Sequence, residues 1–485
     1  MFDTPLLILV SWDSPPATIA LFPHLGITAN LCETDAMDKR EFRAAASLAA
    51  VFSVRLLGLF MIYPVFAAYA RDLSGATASK IGLALGIYGL SQGLLQIPFG
   101  ILSDRAGRKI MIVLGLMMFG IGSAVAAASS SIDGVIIGRV LQGSGAVGSV
   151  ILALVADLTS EENRTKAMAM VGITIGASFM IALVAGPIVA GLAGVAGIFW
   201  LMTALALLGI GITLFIVPNP RRLSLHRDAE TVPSMLGSVL KNKELLRLDF
   251  GIFVLHAMLT ASFLVVPELL HEGLNVTSHS QWMVYLPVLV VSIAVMVPAI
   301  IAAEKYRRMK GVLVSAVAAL AASQIMLVFG GRDVYLVLAA ITIFFAGFNV
   351  MEASLPSLIT KTAPPDAKGT ATGVYSSSQF LGIFAGGAAG GWMHQNAGNA
   401  GVFLLSAGLA LLWLAAAATM ARPSYLTTRL VRISDAQAAS PESFASRLRQ
   451  MPGVADVVVI AEERLAYLKV DPKSFAEVEA LIGAA

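Results

Sequence analysis

Residues 79–130 read SKIGLALGIYGLSQGLLQIPFGILSDRAGRKIMIVLGLMMFGIGSAVAAASS. Two apolar runs, 79–101 and 109–130, flank a short break holding Asp104, Arg105 and Arg108, with Lys109 opening the second run. Each run is long enough to cross a bilayer as a helix, which takes about 20 mostly apolar residues. The whole chain of 485 residues has this texture: 57% is hydrophobic and only 13% is charged, with a mean hydropathy of +0.81. A soluble domain carries about 25% charged residues, so a soluble enzyme and a nucleic-acid binder are excluded as whole-chain readings. The single cysteine, Cys32, can form no internal disulfide and supports no cysteine-based metal site.

Comparable runs lie on both sides of this pair. In the first half they are 44–69, 79–101, 109–130, 133–156, 166–192 and 195–217. In the second they are 247–270, 281–303, 311–330, 334–359, 369–393 and 399–420. Twelve spans put both termini on one side. With that side cytoplasmic, twenty Lys and Arg lie inside and three outside (Arg71, Lys80 and Arg332), the asymmetry the positive-inside rule expects. The chain therefore divides into an N-terminal extension (1–43), a six-helix bundle (44–217), a cytoplasmic linker (218–246), a second six-helix bundle (247–420) and a polar tail (421–485). Residues 1–36 read as a disordered extension or a mis-assigned start before Met37. Gly172, Phe179 and Gly186 recur as Gly373, Phe380 and Gly387, which fits a duplicated bundle with a midplane site between its halves.

The tail holds 16 charged residues in 65, about a quarter, as a soluble domain does. A short strand near Leu430–Ile433, a helix opening at Ser440-Pro441, a hairpin of 454–460 and 464–470, and a last helix from Asp471-Pro472 give the order βαββα, most of a ferredoxin-like unit. Self-association or a regulatory ligand through this tail both remain open.

Chemistry concentrates in a few places. Gly100, Asp104, Arg105, Gly107 and Arg108 form a glycine-rich, charged turn between the second and third spans. Arg55, Arg139, His256 and Glu352 are titratable groups inside spans, where polar groups are costly and functional by default. Glu352 can be protonated in one state and ionised in another, as proton coupling requires. Tyr88, Gln92 and Gln96 make an i, i+4, i+8 stripe that must face the bundle or a wet cavity. Tyr63, Gln142, Asn349, Tyr375 and Gln379 are further cavity candidates. No phosphate-binding loop, metal spacing or nucleophile constellation occurs, so the expectation is a transporter driven by an ion gradient, without cofactor.

The glycine-rich turn resembles the signature loop of the major facilitator superfamily, and Arg139-Val-Leu-Gln142-Gly143 is similar to that family's Arg-x-x-Gln-Gly motif. Gly186-Pro187-Ile-Val-Ala190-Gly191 resembles the antiporter motif, with Ala190 where a glycine is usual. Ala156-Asp157-Leu158-Thr159 followed by Arg164 is similar to the corresponding junction of drug:proton antiporters. The resemblance covers about residues 40–420 and, with the tail, extends to the YajR-like branch. It implies an all-α membrane protein with the major facilitator fold, two six-helix repeats plus a small α+β ferredoxin-like domain, in a bacterial inner membrane. It also implies that Asp157 pairs with the loop arginines, that Arg139 serves coupling, and that the substrates are small amphipathic molecules exported against protons. A sugar or metabolite exporter, and a membrane-anchored sensor signalling through the tail, are the alternatives.

Overall fold

The computed structural model describes residues 19–22, 27–29, 37–219, 232–274, 276–330, 333–421, 427–451, 453–461 and 464–470. Within the extension expected to be disordered, β1 (Ile19–Phe22) and β2 (Ile27–Ala29) pair as short antiparallel strands. Cys32 lies outside the described residues.

The membrane part is all helix, because hydrocarbon offers no partner for a free backbone amide. Its first half comprises α1 (Lys39–Met61), α2 (Tyr63–Ala70), α3 (Ala78–Ala106), α4 (Arg108–Ala128), α5 (Ile132–Ser144), α6 (Gly148–Leu158) and α7 (Glu161–Gly211). The second comprises α8 (Leu236–Lys241), α9 (Lys243–Leu274), α10 (Trp282–Glu304), α11 (Met309–Gly330), α12 (Val334–Thr362) and α13 (Lys368–Ala418). Side chains cap several starts: Thr77 accepts from the Lys80 amide, Ser131 from Gly134, and Asp333 from Tyr335 and Leu336, satisfying amides that a first turn leaves free. Gly107, at φ 97°, supplies the left-handed turn between α3 and α4.

Ten helices among the described residues are long and apolar enough to cross a membrane, and two of them, α7 and α13, run for 51 residues. A straight helix of that length would reach about 77 Å, more than twice a hydrocarbon core of about 30 Å. Each instead carries one non-helical glycine, Gly194 (φ 68°) and Gly398 (φ 63°), where the chain turns back. Gly186 and Met202, on either side of Gly194, both pack on α1, at Met61 and Gly58. Likewise Gly382 packs on Phe253 and Trp413 on Gly251, both on α9. The crossings therefore number twelve, and the two reversals fall where the apolar runs are interrupted in the sequence.

The halves meet most closely where α3 crosses the first arm of α13. A Cβ placed on Gly82 would lie 2.2 Å from the Gly387 carbonyl oxygen, one on Gly86 2.8 Å from that of Phe384, and one on Gly89 2.3 Å from that of Phe380. Backbone lies on backbone along this seam, the packing that small residues permit between membrane helices. At the end of the bundle away from the Asp104 loop, Arg71 pairs with Glu268 at 2.6 Å, the Ser79 amide donates to Gln395 at 3.1 Å, and His279 covers Gly191. At the Asp104 end the halves part. A cleft of about 440 Å³ opens there between α3, α6 and the start of α13.

The tail folds as β3 (Thr427–Arg432), α14 (Asp435–Ala438), α15 (Pro441–Arg449), β4 (Val454–Ile460) and β5 (Leu465–Val470). Its antiparallel sheet runs β3-β5-β4, so the α15 crossover leaves room for β5 in the middle, a split βαβ unit. The expected final helix after Asp471 lies outside the described residues. Ala466, Leu468 and Val470 face the tail's own core with Phe444 and Leu448. The alternate residues Tyr467 and Lys469 are buried as well, and Lys469 Nζ donates to the Lys361 carbonyl at the end of α12 at 2.8 Å. Burial lowers the Lys469 pKa below the usual lysine range. The unfolded chain thus holds the additional proton between the folded and unfolded values, and stability rises with pH across that window.

The seam makes a direct prediction. Gly387→Ala should lower unfolding stability by about 1–3 kcal/mol, because the added methyl meets backbone that cannot rotate away. Gly408→Ala, where nothing lies within 4 Å, should be neutral or stabilising by up to about 1 kcal/mol. Thermal unfolding of the two purified variants checks the contrast.

Candidate functional site

The polar stripe of α3 forms a connected network. Arg55 of α1 donates through Nη2 to the Tyr88 hydroxyl and to Gln92 Oε1, and Gln92 Nε2 donates to Gln96 Oε1 at 2.7 Å. Arg55, Tyr88 and Gln92 are buried to 1% exposure or less. Gln96 continues the network into the cleft, whose walls also carry Gly100, Asp104, Arg108, Ser149, Thr372 and Ser376. A polar path therefore runs from the open end to the middle of the first half.

Arg139 sits beside this network without joining its free surface. Its Nε donates to the Ala84 carbonyl, Nη2 to that of Leu85, and Nη1 to Gln142 Oε1, at 3.0–3.2 Å. Gln142 in turn donates to Ser123 at 2.7 Å. Both side chains are fully buried and strap α5 to α3 and α4. Gln142, expected in the cavity, is enclosed within the first half, because a heptad face shared with Arg139 points to that helix junction. The Arg139 guanidinium also lies 4.9 Å from the centre of the Tyr88 ring, a cation–π contact that fixes the ring.

The second half brings a complementary set together. His256 of α9 approaches the Ile252 carbonyl through Nδ1 at 3.3 Å and Gln379 of α13 through Nε2 at 2.8 Å. With the Gln379 amide nitrogen donating, Nδ1 carries the proton and the ring is neutral. Glu352 of α12 lies 3.8 Å from His256 Nε2, and its Oε2 has no hydrogen-bond partner among the described residues. Asp249 joins this set without having stood out in the sequence. It is 5% exposed, both its oxygens are unpartnered, and it lies two turns before His256 on α9. The Tyr375 hydroxyl of α13 likewise has no hydrogen-bond partner among the described residues. The sequence signal was available, a carboxylate in an apolar run, but its nearness to Lys243, Glu244 and Arg247 made it look interfacial.

Other candidates scatter. Tyr63 meets Thr260 at 3.4 Å and the Phe60 and Phe263 rings, plugging the space between the halves toward the closed end. Phe179 stacks on Phe348 there. Asn349 donates to Ser292 at 2.7 Å and joins α12 to α10. Gly186 lets α7 approach Met61, while Gly191 lies against His279 of the other half, with Pro187 between them inside the helix.

The signature turn is built around Arg108. It pairs with Asp104 and reaches Asp157 Oδ2 through Nε at 3.2 Å, and its Nη1 donates to Ser103 at 2.6 Å. Arg108 and Asp157 are buried, whereas Asp104 is 39% exposed on the cleft. The inner partner of Asp157 is thus Arg108, while Arg105 points to the surface and Arg164 is buried at the start of α7. Beside them Glu41 accepts from the Ser160 amide and from Asn163, each at 2.7 Å, tying α1 to α7.

Two six-helix halves around a polar central network, closed at one end and cleft at the other, define a membrane transporter rather than an enzyme. The chain belongs to the Major Facilitator Superfamily, whose family model matches residues 48–387 and 248–455, and the YajR YAM domain model matches residues 432–483. It is 44% identical to the inner membrane transport protein YajR of Escherichia coli (strain K12), over 90% of this chain and 96% of that one. It is 27% identical to the multidrug resistance protein MdtH of Aeromonas salmonicida, over 71% of this chain and 86% of the relative. Its fold is shared with a bacterial homologue of the human lysosomal transporter Spinster in an inward-facing, occupied conformation, at a TM-score of 0.64 and 13% identity, covering 79% of this chain and 96% of that one.

The buried pair and the half-exposed acid should respond differently to neutralisation. Asp157→Asn leaves Arg108 buried with a reduced counter-charge and should cost about 3–5 kcal/mol. Asp104→Asn should cost under about 1 kcal/mol. Denaturation of each variant, of Arg108→Gln and of Asp157→Asn/Arg108→Gln, which should recover part of the loss, completes the cycle.

Proposed function

We propose that the chain is a proton-coupled secondary transporter that exports small amphipathic molecules across the bacterial inner membrane by alternating access. The observation that carries this reading is the acid set of the second half. Asp249 Oδ1, Asp249 Oδ2 and Glu352 Oε2 are buried without hydrogen-bond partners among the described residues, and Glu352 lies 3.8 Å from His256 Nε2. An unpaired buried carboxylate is costly when ionised, so taking up or losing a proton changes the stability of the arrangement around it. Ser376, next to Tyr375, lines the cleft, which gives protons and solutes an approach from that side.

Sidedness follows the basic residues. With the Asp104 end cytoplasmic, the structure is an inward-open state, closed outside by Arg71–Glu268 and its neighbours. Rocking about the seam would bring Asp104 to the first turn of α13, where the free amides of a helix start favour an acid. The partners are then a small-molecule substrate, protons and the lipid bilayer. Two relatives, an inner membrane transport protein and a multidrug resistance protein, support the location and the direction.

Proteoliposomes with an imposed pH gradient test this. Lipophilic cations, sugars, amino acids and amphipathic anions are added in turn, and proton movement is followed. Wild type should show compound-dependent movement, and Glu352→Gln should reduce it to the protein-free background, with Asp249→Asn intermediate. Compound-dependent movement that persists in Glu352→Gln would take Glu352 off the proton path, and silence of wild type would overturn proton coupling.

A further inference from the structure

Among the described residues, two buried arginines of the first half, Arg55 and Arg139, have no acid beside them. Arg55 and Arg139 are 1% and 0% exposed, and among the described residues no carboxylate lies within ion-pair distance of either. The acids of that half sit at its ends: Asp72 and Asp133 at one, and Glu41, Asp104, Asp157, Glu161 and Glu162 at the other, where Asp133 already pairs with Lys80 and Asp157 with Arg108. The two arginines differ in what they have left to give. Arg139 has all three of its nitrogens committed to carbonyl or amide oxygens. Among the described residues, Arg55 holds a phenol and an amide through one nitrogen, and its buried Nε has no acceptor.

An unmatched guanidinium in the membrane interior is costly, and an unfilled donor on it adds to that cost. The surroundings fit a ligand that supplies the missing charge. Gln92 and Gln96 lead from the cleft to Arg55. The Tyr88 ring, 5.9 Å from the Arg55 guanidinium carbon, meets Phe380 edge-on at 6.3 Å, and these rings offer an apolar wall from both halves. The acids Asp249 and Glu352 stand on the second half, so a negative group is favoured on the first.

We propose that the transported molecule is an organic anion and that its charged group binds Arg55, beside Tyr88 and Gln92. This rests on the export function proposed for the same central site. Arg139 acts only as a positioning residue, holding Tyr88 and the α3–α5 junction.

Equilibrium binding to the full chain in lipid nanodiscs, with no gradient, tests it. The probes are naphthoate, the neutral isostere naphthamide and the cation naphthylmethylammonium. Naphthoate should bind wild type at least about tenfold more tightly than either isostere, and Arg55→Gln should weaken naphthoate at least about tenfold while leaving naphthamide unchanged, since a hydrogen bond to a charged group contributes about 1.5–3 kcal/mol. Arg55→Lys, which keeps the charge, should retain part of the preference and guards against a misfolded Gln variant. The proposal is overturned if naphthoate does not bind, if either isostere binds as tightly, if Arg55→Gln keeps the preference, or if sulfate binds as tightly as naphthoate. Failure here with proton movement intact in liposomes leaves the export reading standing. Naphthoate held by Arg55 without any compound-driven proton movement does the reverse.

Discussion

Backbone contact between α3 and α13 is the constraint on which the rest of the transporter depends. Lipid gives helices no hydrophobic reason to associate, so close packing must supply the attraction, and glycines alone allow carbonyls and Cα atoms to touch. Gly82, Gly86 and Gly89 face Gly387, Phe384 and Phe380 with no side chain between them. Gly93 extends the contact to Ser377. A seam without interlocking side chains can act as a pivot, since little has to repack when one helix tilts on the other. It also sets the site, because the residues that alternate with these glycines, Tyr88 and Gln92 on one helix and Gln379 on the other, are carried to the middle of the bundle.

Charge is divided across that pivot. The first half keeps Arg55 and Arg139 in its interior, and the second keeps Asp249, Glu352 and His256. Neither half neutralises itself, so each is sensitive to what enters the space between them. On the proposed reading a proton acts on one side and an anion on the other. At the Asp104 end the same economy of charge is local: Arg108 is matched by Asp157 and Asp104 inside one half. The tail adds a further attachment, from Lys469 to the Lys361 carbonyl at the end of α12, shortly before α13 begins.

Much of the architecture was legible in the sequence because hydropathy and glycine report directly on membrane geometry. The breaks at Gly194 and Gly398 fall in two- and five-residue gaps between apolar runs, and the reversals are there. The i, i+4, i+8 spacing of Tyr88, Gln92 and Gln96 correctly described a single connected face. What spacing cannot tell is which neighbour a face meets. Gln142 shares a face with Arg139, yet that face is sealed against α3 and α4, and Asn349 is tied to Ser292 rather than aimed at the network. Asp249 was hidden by its charged neighbours, since only tertiary packing decides whether the first turns of a span lie at the interface or inside. The docking of β5 was likewise invisible, because a strand buried on both faces differs from a half-exposed one only through what lies opposite it.

The central claim is that the halves tilt about the glycine seam, so that the cleft closes as the far end opens. Double electron–electron resonance in a Cys32→Ser background measures this directly, with spin labels at Leu152→Cys and Thr372→Cys across the cleft and, separately, at Lys80→Cys and Gln395→Cys across the far end. The account predicts that adding Glu352→Gln, which fixes that side chain in a neutral form, shifts the two pairs in opposite directions, shortening the cleft distance and lengthening the far one. Two distance distributions that stay unchanged, or that lengthen together, would contradict it.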